Sequence, residues 1–375
     1  MPLAFLCHRD VLAPLVEAAS KAVRKSKIPV LGNLLVTADE TGRLSIMGTD
    51  LALAITAFGY AEEVSEAGAV SIDAATFQAS VKRMPDGPVR VAVDDQTMTI
   101  RGGRASARIH ILPATDHPSI TGGAPTHEFV LGSGDLKRMA DRCGFAMRDD
   151  SDRFYLAGIH WHEDPDNVRL VAVATDGKVL SKIHFERPEG AAGMPAIIVP
   201  IDMVQKWSAI TGKKDTPVRV ALSDAHLTLA TPELSITSKL VDGTYPAYAR
   251  LFPRANPLHV TVQAADLADA LERMMIYAPN QENAYRDVKC TFGDGALKLF
   301  TRSDIGEASD EIAIDDDSDA EIVIGFNARQ LLDTVKAIES ARIVLALADA
   351  GAPAMLTSED EPDHEMVAMP IRLKW

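Results

Sequence analysis

One arrangement of apolar and polar positions returns six times along the chain. A short alternating run leads to a polar or acidic residue, then to an amphipathic helix, then to two or more further alternating runs. Three copies open at Phe5, Glu128 and His259, and their helices begin at Asp10, Asp135 and Asp266. The other three open at Val70, Ala196 and Ile322, with helices expected near 75–84, 202–211 and 328–338. Spacings of three and four place Val11, Leu12, Leu15, Val16 and Ala19 on one face of the first helix. Leu136, Met139, Ala140 and Cys143 align on the third, and Leu331, Leu332, Val335 and Ile338 on the sixth. Such a stripe buries one side against a sheet and leaves the other wet. Pro14 is expected in about the first turn of its helix, where its missing N–H costs little.

The strands behind the helices repeat almost word for word. Pro88-Val89-Arg90-Val91-Ala92-Val93 matches Pro217-Val218-Arg219-Val220-Ala221-Leu222, and Ala341-Arg342-Ile343-Val344-Leu345-Ala346 is a third version. Alternation of Val89, Val91 and Val93 suits a half-buried strand. From Phe5 to Glu128 is 123 residues, and from Glu128 to His259 is 131. The 375 residues therefore divide into three similar domains, 1–125, 126–255 and 256–375, each of two βαβββ-like halves, in an α+β fold. Brief Gly/Pro-punctuated breaks at 121–125 and 252–257 separate them.

Composition (47% hydrophobic, 24% charged) is that of an ordinary globular protein and excludes a disordered or fibrous one. No apolar run approaches the roughly 18 residues of a membrane span, and the first ten residues carry no expected secretory signal. Cys7, Cys143 and Cys290 are too widely spaced for a metal knot, so reduced thiols in a cytoplasmic protein are expected.

A net charge of −15 argues against nucleic acid only if it is evenly spread. It is not. Basic residues sit in the helical stretches: Lys21, Arg24, Lys25, Lys82, Arg83, Lys137, Arg138, Arg142, Lys206, Lys213, Lys214, Arg273, Arg329 and Lys336. Acids cluster in loops such as 149–152, 163–166, 315–319 and 359–361, although the fifth helix carries Asp266, Asp269 and Glu272. If the helices face one way, that face attracts phosphates without sequence preference and with steep salt dependence.

An ordered set of short motifs resembles the bacterial DNA sliding clamp family, the β subunit of DNA polymerase III. They are Ile28-Pro29-Val30-Leu31-Gly32-Asn33-Leu34-Leu35, Gly48-Thr49-Asp50-Leu51, Leu112-Pro113-Ala114-Thr115-Asp116-His117-Pro118 and Ala174-Thr175-Asp176-Gly177. Then come Ser238-Lys239-Leu240-Val241-Asp242-Gly243, Tyr245-Pro246, Ile324-Gly325-Phe326-Asn327 and Met369-Pro370-Ile371-Arg372-Leu373. The resemblance implies a DNA clamp fold closing head to tail, as a homodimer, into a six-domain ring around duplex DNA. It implies a non-catalytic processivity factor that needs no cofactor and tethers the polymerase III catalytic subunit. The clamp loader, other polymerases and repair proteins are its further partners.

Three regions carry over by position. A peptide-binding cleft would use Leu156, Thr175, Gly177, Leu180, Pro246, Arg250, Leu251, Val367, Met369, Pro370, Ile371 and Arg372. DNA contact would fall on Arg24, Lys25 and Arg148, beside the helix charges Lys82, Arg83, Lys137, Arg138 and Lys206. The ring seam would set Arg101, Arg104, Ala107, Arg108 and Ile109 against Ile276, Tyr277, Glu307, Asp310 and Glu311. Opposite charges around an apolar centre favour such closure.

Lys178-Val179 stands where the best-studied clamps have a histidine and an arginine, and Lys374-Trp375 extends past their usual end. Both bear on which partner peptides bind, and a specialised paralogous clamp is one alternative. A protein scaffold that never meets DNA is another. An enzyme finds little support. His160 and His162 would share a strand face but have no third ligand at metal spacing. Gly212-Lys213-Lys214 lacks the glycine spacing of a phosphate loop. Asp50 and Asp176, each after a threonine, fit turn capping better than paired catalytic acids.

Overall fold

A computed structural model describes all residues except 1, 25–26, 121, 150–151, 165, 208–214, 278–286, 317–320 and 374–375. The βαβββ half appears six times. The first repeat holds β1 (Ala4–His8), α1 (Arg9–Ser20), β2 (Asn33–Ala38), β3 (Arg43–Thr49), β4 (Leu53–Tyr60), an added β5 (Glu63–Glu66), β6 (Gly68–Asp73), α2 (Ala74–Lys82), β7 (Pro88–Asp94), β8 (Thr97–Gly102) and β9 (Ala105–Pro113). The second holds β10 (His127–Gly132), α3 (Ser133–Cys143), β11 (Gly158–Asp164), β12 (Arg169–Thr175), β13 (Val179–Glu186), β14 (Ile197–Pro200), α4 (Ile201–Trp207), β15 (Pro217–Leu222), β16 (His226–Ala230) and β17 (Leu234–Lys239). The third holds β18 (Leu258–Gln263), α5 (Ala264–Tyr277), β19 (Asp287–Gly293), β20 (Ala296–Ser303), β21 (Gly306–Asp316), β22 (Ile322–Asn327), α6 (Ala328–Lys336), β23 (Arg342–Leu347), β24 (Ala354–Thr357) and β25 (His364–Ala368).

Two antiparallel sheets result, in the orders β10-β15-β16-β17-β4-β3-β2-β6-β9-β8-β7-β1-β5 and β14-β11-β12-β13-β25-β24-β23-β18-β21-β20-β19-β22. Each belongs to one of two compact units, the first comprising 1–137, 188–191 and 202–240, the second the remainder. These units cut across the sequence repeats, because the central repeat gives strands to both sheets. β17 pairs with β4 in the register Ile236↔Ile55, and β13 with β25 in the register Leu180↔Val367.

Local chemistry sets the boundaries. Asp73 caps α2 by accepting from the Thr76 amide at 2.8 Å, and Asn327 caps α6 by accepting from Gln330 at 3.1 Å. α1 lies so close on β3 that a Cβ on Gly48 would stand 2.3 Å from the Ala19 carbonyl oxygen. Two expectations change. Val11 is exposed, leaving Leu12, Leu15, Val16 and Ala19 as the buried stripe. Pro14 is the sixth residue of α1, past the first turn, so it withholds a bond from the Asp10 carbonyl, on a wet part of the helix. The three cysteines are buried and unpaired. No described helix is long and apolar enough to cross a membrane.

Candidate functional site

In the second unit, Leu156, Leu180 and Val367 join Val171, Val173, Ile198, Tyr245 and Phe252 in one small apolar cluster. The cluster lies under the segment 241–252. Phe252, one of its members, and nearby Arg254 are held in place, for Glu365 pairs with both Lys182 and Arg254, and the Lys182 ammonium sits 4.4 Å from the Phe252 ring centre. Those two cations hold the Glu365 carboxyl down at about 2 against the cost of burial.

Beside the cluster the chain turns sharply. The Thr175 hydroxyl donates to the Val179 carbonyl at 2.6 Å and accepts from the Gly177 amide at 3.0 Å. Asp176 Oδ1 accepts from the amides of Lys178 and Val179, both at 2.8 Å. Gly177 takes a left-handed φ of 88°. The same turn recurs at Thr49-Asp50, where Asp50 Oδ1 accepts from the amides of Ala52 and Leu53. Both aspartates are thus engaged as turn caps.

The C-terminal segment is tied to this turn. Met369 donates its amide to the Lys178 carbonyl and Ile371 to that of Gly325, each at 2.8 Å. A Cβ on Gly325 would stand 2.6 Å from the Ile371 oxygen. Leu251 and Met369 are exposed apolar side chains, at 44% and 40%, and Pro246, Arg250 and Arg372 are exposed too. Leu156, Leu180 and Val367, by contrast, are core residues of the chain, 3%, 3% and 2% exposed, so they form a floor rather than open walls. An extended ligand would meet an apolar rim with a basic edge. The structure leaves Lys374 and Trp375 outside the described residues.

The basic helix charges divide into two groups. Arg24 is bound to Asp50 at 2.9 Å and to Asp202 at 2.6 Å. Arg142 is buried between Glu339 (2.5 Å) and Glu361 (2.9 Å), so it faces no solvent and no phosphate. Arg273, Arg329 and Lys336 pair with Asp310, Asp333 and Glu272. Arg138 lies over the Phe185 ring, and Arg148 reaches the Asp176 carbonyl at 3.4 Å. Lys82 and Arg83 stand exposed at the end of α2, and no described carboxylate pairs with them or with Lys206; Lys137 is exposed on α3. Lys25, Lys213 and Lys214 lie outside the described residues.

Two strands inside the sheets leave part of an edge unpaired among the described residues. Residues 105–110 of β9 pair only with β8, while 111–113 pair with β6. Residues 306–311 of β21 pair only with β20, while 314–316 pair with β18. Arg104 in the turn before β9 and Arg108 on it are exposed, whereas Ile109 is buried on the inward parity with Ala107. On the other side, Ile276 is 68% exposed at the end of α5, Tyr277 beside it is exposed, and Glu307 and Glu311 are exposed on β21. Ile305, 71% exposed in the β20–β21 turn, escaped the sequence reading, although an isoleucine between Asp304 and Gly306 in a hairpin turn is the signal. A concavity of about 600 Å³, bordered by Ala75, Ala79, Arg83, Met84, Ala105 and Ala107, also escaped it.

His160 and His162 do share a strand face, their ring centres 5.1 Å apart. Each Nδ1 meets a main-chain carbonyl, Ile197 and Glu163 respectively, and His162 Nε2 meets the Tyr248 hydroxyl at 2.6 Å. Among the described residues no group of three or more His, Cys, Asp or Glu side chains is placed to hold a metal.

Six βαβββ halves in three repeats, with strands carried across repeat boundaries, define a DNA clamp fold. Residues 3–121, 131–247 and 249–372 match the N-terminal, central and C-terminal domains of the DNA polymerase III beta subunit. The beta sliding clamp of Caulobacter vibrioides is 30% identical over 369 residues, covering 97% of this chain and 98% of that one. The Bartonella birtlesii sliding clamp, solved bound to griselimycin, superposes with a TM-score of 0.94 at 31% identity over all of both chains. The Pseudomonas aeruginosa clamp, solved with a ligand, gives 0.93 at 27%, covering 99% of this chain and all of that one. The chain belongs to the DNA polymerase III beta subunit family, the bacterial sliding clamps. Its function is that of a DNA sliding clamp, a processivity subunit without catalytic activity of its own.

Proposed function

We propose that two copies close head to tail into a cytoplasmic ring around duplex DNA and hold the polymerase III catalytic subunit there, with loader, other polymerases and repair proteins using the same cleft. What carries the reading is the sixfold βαβββ repeat, matched from end to end by the family's three domains. The domains divide at 1–125, 126–255 and 256–375. Partner peptides lie along Leu251, Met369, Pro246 and Arg372, above the floor of Leu156, Leu180 and Val367 and beside the Thr175–Gly177 turn; Arg250, Pro370 and Ile371 complete the rim.

At the seam, the open edge of β9 meets the open edge of β21 of a second copy, with Arg104 and Arg108 facing Glu307 and Glu311. Ile276 and Tyr277 then fill the α2–β9 concavity. Two half-unpaired edges of opposite charge are self-complementary only in this heterologous sense. Lys82, Arg83, Lys137, Arg138, Lys206 and Arg148 attract the duplex, with Lys25 beside them. Arg24 acts mainly by anchoring Asp50 and Asp202. A scaffold without DNA gains no support from this membership.

Light scattering at low-micromolar concentration tests the ring. The expected mass is twice the 40.3 kDa of one chain. A stable single-chain mass overturns it.

A further inference from the structure

A cavity of about 580 Å³ opens in the second unit against the 245–249 segment. His160 and His162 on β11, Met194 and Ala196 before β14, and Tyr245, Pro246 and Tyr248 form its walls, and Tyr245 also belongs to the apolar cluster described above. Its aromatic wall is built rather than accidental. The His160 and Tyr245 rings stack at 4.5 Å with 5° between planes, and Tyr248 stands edge-on to His160 at 6.4 Å.

The polar chemistry of this wall is specific. A carbonyl can only accept, so Nδ1 of each histidine carries its proton toward Ile197 or Glu163. Burial, and the neighbouring His162, push the His160 imidazole down to about 4, which keeps it neutral at neutral pH. Its Nε2 is then a bare acceptor, and no described residue donates to it. His162 differs, since its Nε2 already takes the Tyr248 hydroxyl proton. The cavity therefore offers apolar surface and one unused acceptor, while Glu163 is occupied by Arg187 and the Gly193 amide.

We propose that this cavity is an annex of the peptide cleft, taking an aromatic side chain with an N–H or O–H donor from the partner peptide where it runs on past Pro246. The inference rests on the cleft reading above. Continuity argues for a peptide as the occupant, because Pro246 borders the cavity and stands on the proposed cleft rim, while Tyr245 borders the cavity and belongs to the apolar cluster beneath that rim. Tryptophan fits best. It buries a large planar surface against the His160–Tyr248 wall and donates from its indole nitrogen to His160 Nε2. Partners whose segment is followed by such a residue would be held more tightly than those that end at the cleft.

The test uses the full-length dimer and synthetic 16-residue peptides spanning the clamp-binding segment of the polymerase III catalytic subunit from the same cell. Trp, Phe or Ala is placed in turn at each of the four positions after the segment. Titration calorimetry is expected to show one position at which Trp binds about tenfold tighter than Ala, with Phe between them. His160→Phe keeps the stack and removes the acceptor, so the Trp peptide should fall to the Phe value while the Ala peptide is unchanged. Ala196→Met fills the cavity, so both aromatic gains should vanish. Peptides that bind equally whatever the added residue overturn the annex and leave the cleft standing. A Trp gain that survives both substitutions also overturns it. If no peptide binds the wild-type dimer, the cleft reading itself falls and the annex with it.

Discussion

The side-chain amide of Gln330 donates to Oδ2 of Asp176 at 2.9 Å, joining the first turn of α6 to the turn beside the proposed peptide cleft. Asp176 thereby serves three donors, since its Oδ1 already takes the amides of Lys178 and Val179. Replacing it with alanine strands those amides. Asp176→Ala is expected to cost on the order of 1–3 kcal/mol of stability and to weaken partner-peptide binding, because the turn carries the Lys178 carbonyl that holds Met369. Gln330→Ala removes one contact and should cost less. Thermal melts with peptide titration check both, and equal melting of Asp176→Ala and wild type defeats the capping role.

The cleft itself is tested at its exposed apolar rim. Leu251→Ala and Met369→Ala trim side chains that are exposed in the chain and lie outside its core cluster, so each should leave the dimer mass unchanged. Peptide affinity should fall about tenfold or more, as for central residues of small interfaces. Substitution of Leu180 or Val367 is a poorer test, because a buried residue cut to alanine costs roughly 2–5 kcal/mol of folding stability as well. Unchanged peptide affinity in both rim variants would sink the assignment.

Charge reversal separates the two groups of basic residues. Lys82→Glu with Arg83→Glu should reduce retention on nicked circular DNA and lower the salt dependence of association, because each lost phosphate contact flattens the slope by about one unit. Melting should scarcely move, for neither residue holds a described ion pair. Arg24→Glu should do the opposite, since it sets a third carboxylate against Asp50 and Asp202. Its melting temperature should drop first. Retention unaffected by the Lys82/Arg83 pair removes α2 from the DNA face.

How much of this was legible in advance follows the range of the interactions. The Thr-Asp turns were readable because their bonds span two to four residues. The sixfold repeat was readable because hydrophobic period is local. The fate of Arg142 was not, since Glu361 lies 219 residues away and only folding brings it near. The pairing of Arg24 was hidden for the same reason, its second partner Asp202 being on α4. On β9 the alternation was clear but not its parity, so Ile109 read as edge and proved to be core. The histidine pair read as a failed metal site because Tyr245 and Tyr248, more than eighty residues on, supply the rest of the wall.

The seam prediction turns on one exposed side chain. Ile276→Glu places a carboxylate where an apolar residue, 68% exposed in the single chain, is proposed to enter the concavity of a second copy. Mass by light scattering should fall from twice the chain mass toward one, while circular dichroism and melting of the monomer persist. Arg108→Glu should act more weakly and in a salt-dependent way, as rim charges do. A dimer untouched by Ile276→Glu places the interface elsewhere.

Acid should destabilise the chain in two windows. His364 is buried, with Nε2 2.9 Å from Ser181 Oγ, whose proton goes to the Arg142 carbonyl. Nε2 therefore donates. Burial pushes its pKa down to about 4, with Arg142 and Arg138 acting in the same direction and Glu361 opposing them. Its unfolded value is near 6.5, so below that pH the unfolded chain takes up a proton the folded one refuses. Stability is full above about 6.5 and falls as pH drops toward 4, by on the order of 2–3 kcal/mol from this group. His160 falls to about 4 as well and adds to the same window. Glu365 works lower down. Held at about 2 by Lys182 and Arg254, it contributes stability above its unfolded value near 4.5 and loses it between there and 2. His364→Gln keeps a donor for Ser181 and removes the titration, so urea melts at pH 7, 5 and 4 should show a shallower upper slope and an unchanged lower one. A slope identical to wild type between pH 6.5 and 4 would mean that His364 does not titrate with folding.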